Sequence, residues 1–451
     1  MWDSSLIMML IIFTFTIVFM LWRPKNVNET VPTTIGAAIV LILGIVSWTD
    51  ILDILGIVSG PSLTILSTIM MTIVLESIGF FKWIAFNIVN RSKGSGIRLY
   101  VYTNLLCFLM TMLFNNDGSI LITTPIIIRI VQLLKFKPHQ MYPYLISGAL
   151  IATAASAPIA VSNIANLIAL KIIGLTLNDY VLMMFIPSMI GIFVIAWLLF
   201  LYFKKDIPKV SIMFPLKRAH LHSTQLYTHP LDPAGNPEDI DWKMFKICIL
   251  IIIITRIAFF ALTPFGISLE FIGLFGAAIL IIYRWIRIRI GIKDVIRNTP
   301  WQIFLFAFNM YVLVYGLKNV GLNDFIVSSL REFIAQDALQ ATIIMGMLTT
   351  VLSNLVNNLP AVMFSTMAIV DMGLEPLIVQ IAYLASVIGS DIGALLTPIG
   401  TLATLIWMFE LKKFGVKMTW RKYLKVTFLV IPIGLFVSLF SLYLWIMLVV
   451  Q

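Results

Sequence analysis

Ten stretches of this chain stay apolar for about the thickness of a bilayer, and that limits the fold before anything else does. They are 6–22, 33–57, 63–84, 141–173, 180–203, 244–263, 267–286, 301–317, 376–410 and 423–449. A helix needs roughly 20 mainly apolar residues to cross the hydrocarbon core. In lipid every backbone N–H and C=O must find a partner within the chain, so runs of this length are helices. Composition agrees: 60% of the 451 residues are hydrophobic and 12% are charged. The expected fold class is therefore an all-α polytopic membrane protein. The first run is preceded by Asp3 and no basic residue, and no small-residue cleavage site follows it. That predicts a retained helix rather than a signal peptide.

Two of these runs, 141–173 and 376–410, are too long and are interrupted by proline and polar residues. Two further segments, 99–134 and 341–370, fit poorly as single spans and carry an Asn-Asn pair near the middle. Irregular backbone at membrane depth survives only where it lines a cavity or is buried in protein. The segments 99–134 and 341–370 are therefore read as hairpins that dip into the bilayer and return, and 141–173 and 376–410 as broken helices. The first half reads NNDGSILITTP from Asn115 and then SAPIAVSNIAN from Ser156. The second reads NNLPAVMFST from Asn357 and then GSDIGALLTPIGT from Gly389.

Charge tests this arrangement. With the N-terminus outside and the hairpins re-entrant, only Lys171, Arg256, Lys318 and Arg331 fall away from the cytoplasmic side, leaving 31 − 4 = 27 basic residues there. Taking each hairpin as a single crossing would put 204–218 and 284–297 outside, against the positive-inside rule. Two full crossings per hairpin give the same sidedness, so a twelve-span arrangement stays open. About ten transmembrane helices and two oppositely oriented hairpins then form two inverted five-helix repeats, 1–203 and 243–451, joined by a cytoplasmic linker, 204–242. Asn115 and Asn357 are 242 positions apart, and Ser162 and Thr397 are 235 apart. Both termini are expected outside a cell membrane.

The candidate binding residues lie in the interruptions. Asn115, Asn116, Asp117, Gly118 and Ser119 sit about fifteen residues from either hairpin base, roughly 22 Å of helix, near the midplane. They both cap a helix and point free backbone donors at a cavity. Ser156, Ser162, Asn163 and Asn166 in the first break donate and accept, which suits a neutral polyhydroxy solute. Hydrogen bonding between helices is the alternative for these. Asn357, Asn358, Ser390, Thr397 and Thr401 are their counterparts in the second half. Asp391 is the most costly residue of the set, because a carboxylate at that depth is rarely kept without a function. Proton coupling through Asp391 or Asp117 is accessible; a structural ion pair of Asp391 with Arg129 or Arg256 is the alternative. Glu76 is a further coupling candidate or a scaffold residue, and Arg129 snorkels to the cytoplasmic interface.

Other chemistries find little support. Cys107 and Cys248 lie in apolar runs without metal or disulfide spacing and are read as packing residues. His139, His220, His222 and His229 fall in expected cytoplasmic loops. No phosphate-cradling GKS or GKT, no HExxH and no GxSxG occurs, so an ATPase or hydrolase is not expected. The net charge of +10 is spread over short loops, which is topology and not a nucleic-acid surface. No enzyme activity, cofactor or metal is expected.

With NNDGSILITTPI from Asn115, ASAPIAVSNIAN from Ala155, WQIFLFAFNMYVLVYGLKNVG from Trp301, NNLPAVM from Asn357 and IGSDIGALLTPIGTLATLIW from Ile388, the chain resembles the ArsB arsenite efflux family of the ion transporter superfamily. The resemblance runs in order over nearly the whole chain. It implies extrusion of arsenite and antimonite as neutral trihydroxides, driven by proton entry. In some members a cytoplasmic ATPase subunit is bound, and a homodimer is a further partner to consider. The family commonly has Cys at Ser390 and Pro-Lys at Ala394 and Leu395, so this chain has neither a thiol nor a lysine beside Asp391. The expected function is a secondary transporter exporting arsenite and antimonite by proton antiport. A sodium/proton exchanger or organic-anion carrier of the same superfamily is the nearest alternative, and a non-transporting membrane scaffold is the alternative of another class.

Overall fold

The computed structural model describes residues 4–24, 27–209 and 241–449. Most of the expected linker 204–242, with His220, His222 and His229, lies outside the described residues. The described residues are all helix and connection. In order they are α1 (Ser4–Trp22), α2 (Thr30–Ile42), α3 (Trp48–Ser77), α4 (Phe80–Ser92), α5 (Gly96–Leu113), α6 (Asn116–Leu133), α7 (Pro138–Ala154), α8 (Ile164–Ile173) and α9 (Leu177–Phe203). Then follow α10 (Trp242–Leu262), α11 (Leu269–Ile288), α12 (Lys293–Asn298), α13 (Gln302–Asn319) and α14 (Leu322–Ile334). The chain ends with α15 (Ala338–Val356), α16 (Asn358–Asp371), α17 (Pro376–Asp391), α18 (Leu402–Lys413) and α19 (Trp420–Val449).

Ten helical segments among the described residues are long and apolar enough to cross a membrane. The number matches the sequence reading, but the membership differs. Segments Gly96–Leu113 and Ala338–Val356 qualify, whereas α2 and α8 are too short by themselves. The expected break between 33–57 and 63–84 is also misplaced. The chain turns at Gly44, whose φ of +68° is open to glycine without strain. Ser47 and Asp50 then form a capping box that starts α3. The Gly60-Pro61 pair, which looks like a break in the sequence, lies buried inside α3. Lys171 Nζ donates to the Gly56 carbonyl at 2.6 Å, one turn earlier.

The two Asn-Asn segments are hairpins of helices. Ser119 Oγ of α6 donates to the Cys107 carbonyl of α5 at 3.3 Å, which requires the chain to fold back at 114–115. Thr349 of α15 and Ser365 of α16 meet at 3.0 Å through their hydroxyls, so the chain also folds back at Asn357. Both long proline-interrupted runs are broken. Helix α7 stops at Ala154 and α8 resumes at Ile164, with a 3₁₀ turn at Ala160–Ser162 between them. Helix α17 stops at Asp391 and α18 resumes at Leu402, after a 3₁₀ turn at Gly393–Leu396.

Cross-packing brings the two halves together. Helix α6 lies against α18, α16 against α8, and α9 runs along α19. Small residues allow the closest approaches: a Cβ on Gly191 would sit 1.7 Å from Ser438 Oγ, and one on Gly434 would sit 2.3 Å from Ile195 Cγ1. Large apolar side chains such as Phe193, Phe271, Phe275 and Phe436 face outward, and many Ser, Thr and Asn side chains are buried among the apolar residues of the interior. Buried polar side chains of this kind are expected where lipid removes the hydrophobic drive between helices and leaves packing and hydrogen bonds.

Candidate functional site

At the first hairpin tip, Asn115 caps α6: its Oδ1 accepts from Gly118 N at 2.6 Å. Its Nδ2 donates to Thr68 Oγ1 of α3 at 3.3 Å. Asn116 Oδ1 accepts from Asp117 N at 2.8 Å. Gly118 and Ser119 are thus occupied in building the tip. Arg256 of α10 reaches the same tip, where its Nη2 donates to the Phe114 carbonyl at 2.8 Å.

The second tip is made differently. Asn357 holds φ 81° and ψ 156°, a region populated almost only by glycine, at a cost of order 1–3 kcal/mol. Its Nδ2 donates to the Ile399 carbonyl at 3.0 Å and offers no cap to α16. Asn354 completes the anchor by donating to the Gly393 carbonyl at 2.9 Å and accepting from Thr397 N at 2.8 Å.

The breaks meet at Asp391, which is fully buried. Its carboxylate accepts from Ser156 Oγ at 2.9 Å, Asn163 Nδ2 at 2.8 Å and Asn166 Nδ2 at 2.7 Å. All three donors are neutral and come from the first break. The ion pair between Asp391 and Arg256 is not formed, because that arginine binds a backbone carbonyl instead. Asn163 also caps α8, accepting from Ala165 N at 3.0 Å, so one side chain fixes the helix start and the carboxylate together. Tyr383 donates to the Asn166 carbonyl at 3.1 Å, and Tyr180 donates to the Ala157 carbonyl.

Beside this cluster lies a cavity of about 20 Å³, room for about one water. Asn116, Asp117, Asn163, Ile164, Asn358 and Leu402 line it, with Ile303 and Phe306 of α13. The starts of α6, α8, α16 and α18 therefore converge on one space. Helix starts carry unsatisfied N–H groups and the positive end of the helix dipole, so oxygen-rich cargo is favoured there. Asn166 Oδ1, Asn357 Oδ1, Ser162 Oγ and Thr397 Oγ1, all in or next to the chain's breaks, are buried without a hydrogen-bond partner among the described residues.

Not every expected residue joins this site. Thr401 caps α18 by accepting from Thr404 N at 3.1 Å, and Ser390 Oγ donates to Val387 O of its own helix at 3.0 Å. Glu76 lies in the last turn of α3, eight residues beyond Thr68, or roughly 12 Å along the helix. Asn354, Thr68, Tyr180 and Tyr383 join the site without being expected from the sequence, and Arg256 joins it through a backbone carbonyl rather than through Asp391. Asn354, one turn before Asn357 on the same helix, has the clearest signal of them in the sequence, and the tyrosines have none.

The family model described as "ArsB: Arsenical pump membrane protein" matches residues 8–446. A "Putative arsenical pump membrane protein" of Bacillus subtilis (strain 168) is 47% identical over 437 residues, covering 96% of this chain and 98% of that protein. An "Arsenical pump membrane protein" of Escherichia coli is 33% identical over 431 residues, covering 96% and 97%. Two broken helices, two helical hairpins and a buried carboxylate held by amide and hydroxyl donors are thus the interior of a membrane transporter, and the chain belongs to the ArsB arsenical pump membrane protein family.

Proposed function

We propose that this transporter exports arsenite and antimonite, as neutral trihydroxides, in exchange for entering protons. The observation that carries the reading is Asp391: a fully buried carboxylate from one break, held by three neutral donors from the other, next to a cavity lined by amides and helix starts. A trihydroxide offers three O–H donors and several lone pairs. Asn116, Asn163 and Asn358, which line the cavity, can serve both. In the cycle, Asp391 or Asp117 gives up a proton to the cytoplasm as cargo binds. Reprotonation from outside then expels the cargo.

The proposal includes the membrane placement. The pairs α5/α6 and α15/α16 are re-entrant from opposite faces, 1–203 and 243–451 are inverted repeats, and both termini lie outside. Everted vesicles test the function: an imposed pH gradient should drive arsenite accumulation in wild type and not in Asp391→Asn. No accumulation in wild type, or full accumulation in the variant, sinks the scheme. A requirement for sodium in place of the pH gradient would favour a cation-coupled relative.

A further inference from the structure

Arg256 sits on α10, is 8% exposed, and has no carboxylate among its hydrogen-bond partners. Its guanidinium lies 5.4 Å from the centre of the Phe259 ring, and its Nε and Nη1 have no partner among the described residues. A charged side chain inside a membrane protein is expensive and usually functional. Arginine cannot shed its charge to reduce that cost. Its one hydrogen bond goes to Phe114, the residue that closes α5 immediately before Asn115 opens α6. The last carbonyls of a helix are unsatisfied and carry the negative end of its dipole, so the guanidinium supplies both a donor and a countercharge there.

The two hairpin tips are thereby referred to different bodies. The first is tied to α10 through Arg256 and to α3 through Thr68. The second is tied through Asn354 and Asn357 to the loop that follows Asp391. The cavity has Asn116 and Asp117 from one tip and Asn358 from the other. Its geometry therefore depends on where α10 and α3 hold the first tip.

We propose that Arg256 is a positioning residue, which sets the affinity for cargo by fixing the first hairpin tip against the second. The inference rests on the reading of that cavity as the arsenite site. Arsenite uptake is measured over a concentration series in everted vesicles bearing wild type, Arg256→Lys, Arg256→Gln or Arg256→Met, with protein abundance matched by immunoblot. Loss of a hydrogen bond to a charged group should raise KM about tenfold in Arg256→Met, with a smaller change in Vmax per molecule. Arg256→Gln should fall between, and Arg256→Lys, which keeps charge and a donor, should lie nearest wild type. Thr68→Val should raise KM by less than Arg256→Met. If Arg256→Met fails to insert, the Gln and Lys variants carry the same comparison. Wild-type KM in every variant that reaches the membrane, or a fall in Vmax with KM untouched, overturns the inference. Wild-type vesicles that take up no arsenite overturn the substrate reading, and this inference with it.

Discussion

Asp391 and Ser156 are 235 positions apart and hydrogen-bonded, and 235 is also the separation of Ser162 and Thr397. Under the proposed repeat, Asp391 thus binds the residue at its own equivalent position in the other half. If the halves are such repeats, a contact of that kind lies beside the axis that relates them. The carboxylate itself was legible in the sequence, because charge at membrane depth is conspicuous. Its partners were not, since nothing local tells Ser156, Asn163 and Asn166 which of several buried polar groups they will face. Asn166→Ala should reduce pH-driven arsenite uptake about tenfold, because it removes one hydrogen bond to a charged group. Asp391→Asn should abolish uptake driven by a pH gradient while leaving arsenite counterflow measurable. Loss of both in Asp391→Asn at normal abundance would make that residue structural.

At the scale of elements, the close pairs α5/α7 and α15/α17 differ in how much they tolerate. A Cβ on Gly389 would lie 2.3 Å from the Gly346 carbonyl, a backbone atom that cannot move alone. A Cβ on Gly148 would meet only the ends of side chains, Ile127 Cδ1 at 3.0 Å and Cys107 Sγ at 3.1 Å. Gly389→Ala should therefore push α17 off α15 and leave little monodisperse protein on size-exclusion chromatography. Gly148→Ala should fold, at a cost of about 1–3 kcal/mol for overpacking. Similar behaviour of the two variants would count against backbone contact as the cause. Helix breaks were easier to foresee than helix pairings, because Asn-Asn and proline act locally. Even so, Gly60-Pro61 misled, since its punctuation is overridden by the helices that enclose α3, and Gly44 made the real turn.

For the whole molecule, the proposed sidedness rests on the basic residues, which gather in the loops expected on one side. Inverted topology predicts that cysteines placed at Asn178 and Asp337 react with an impermeant maleimide in intact cells, and that one at Lys417 reacts only after lysis. The native thiols, Cys107 and Cys248, are buried and should give little background. Labelling of Asn178→Cys and Asp337→Cys from opposite faces would rule the arrangement out.

The cavity of about 20 Å³ has a consequence for the idle protein. Ion leak through a transporter needs a continuous file of waters from one face to the other. Space for about one molecule, walled by Ile303, Phe306 and Leu402, interrupts such a file. If a proton gradient drives export as proposed, an empty site this narrow should carry little proton leak, which a pH-sensitive dye in vesicles without arsenite would check.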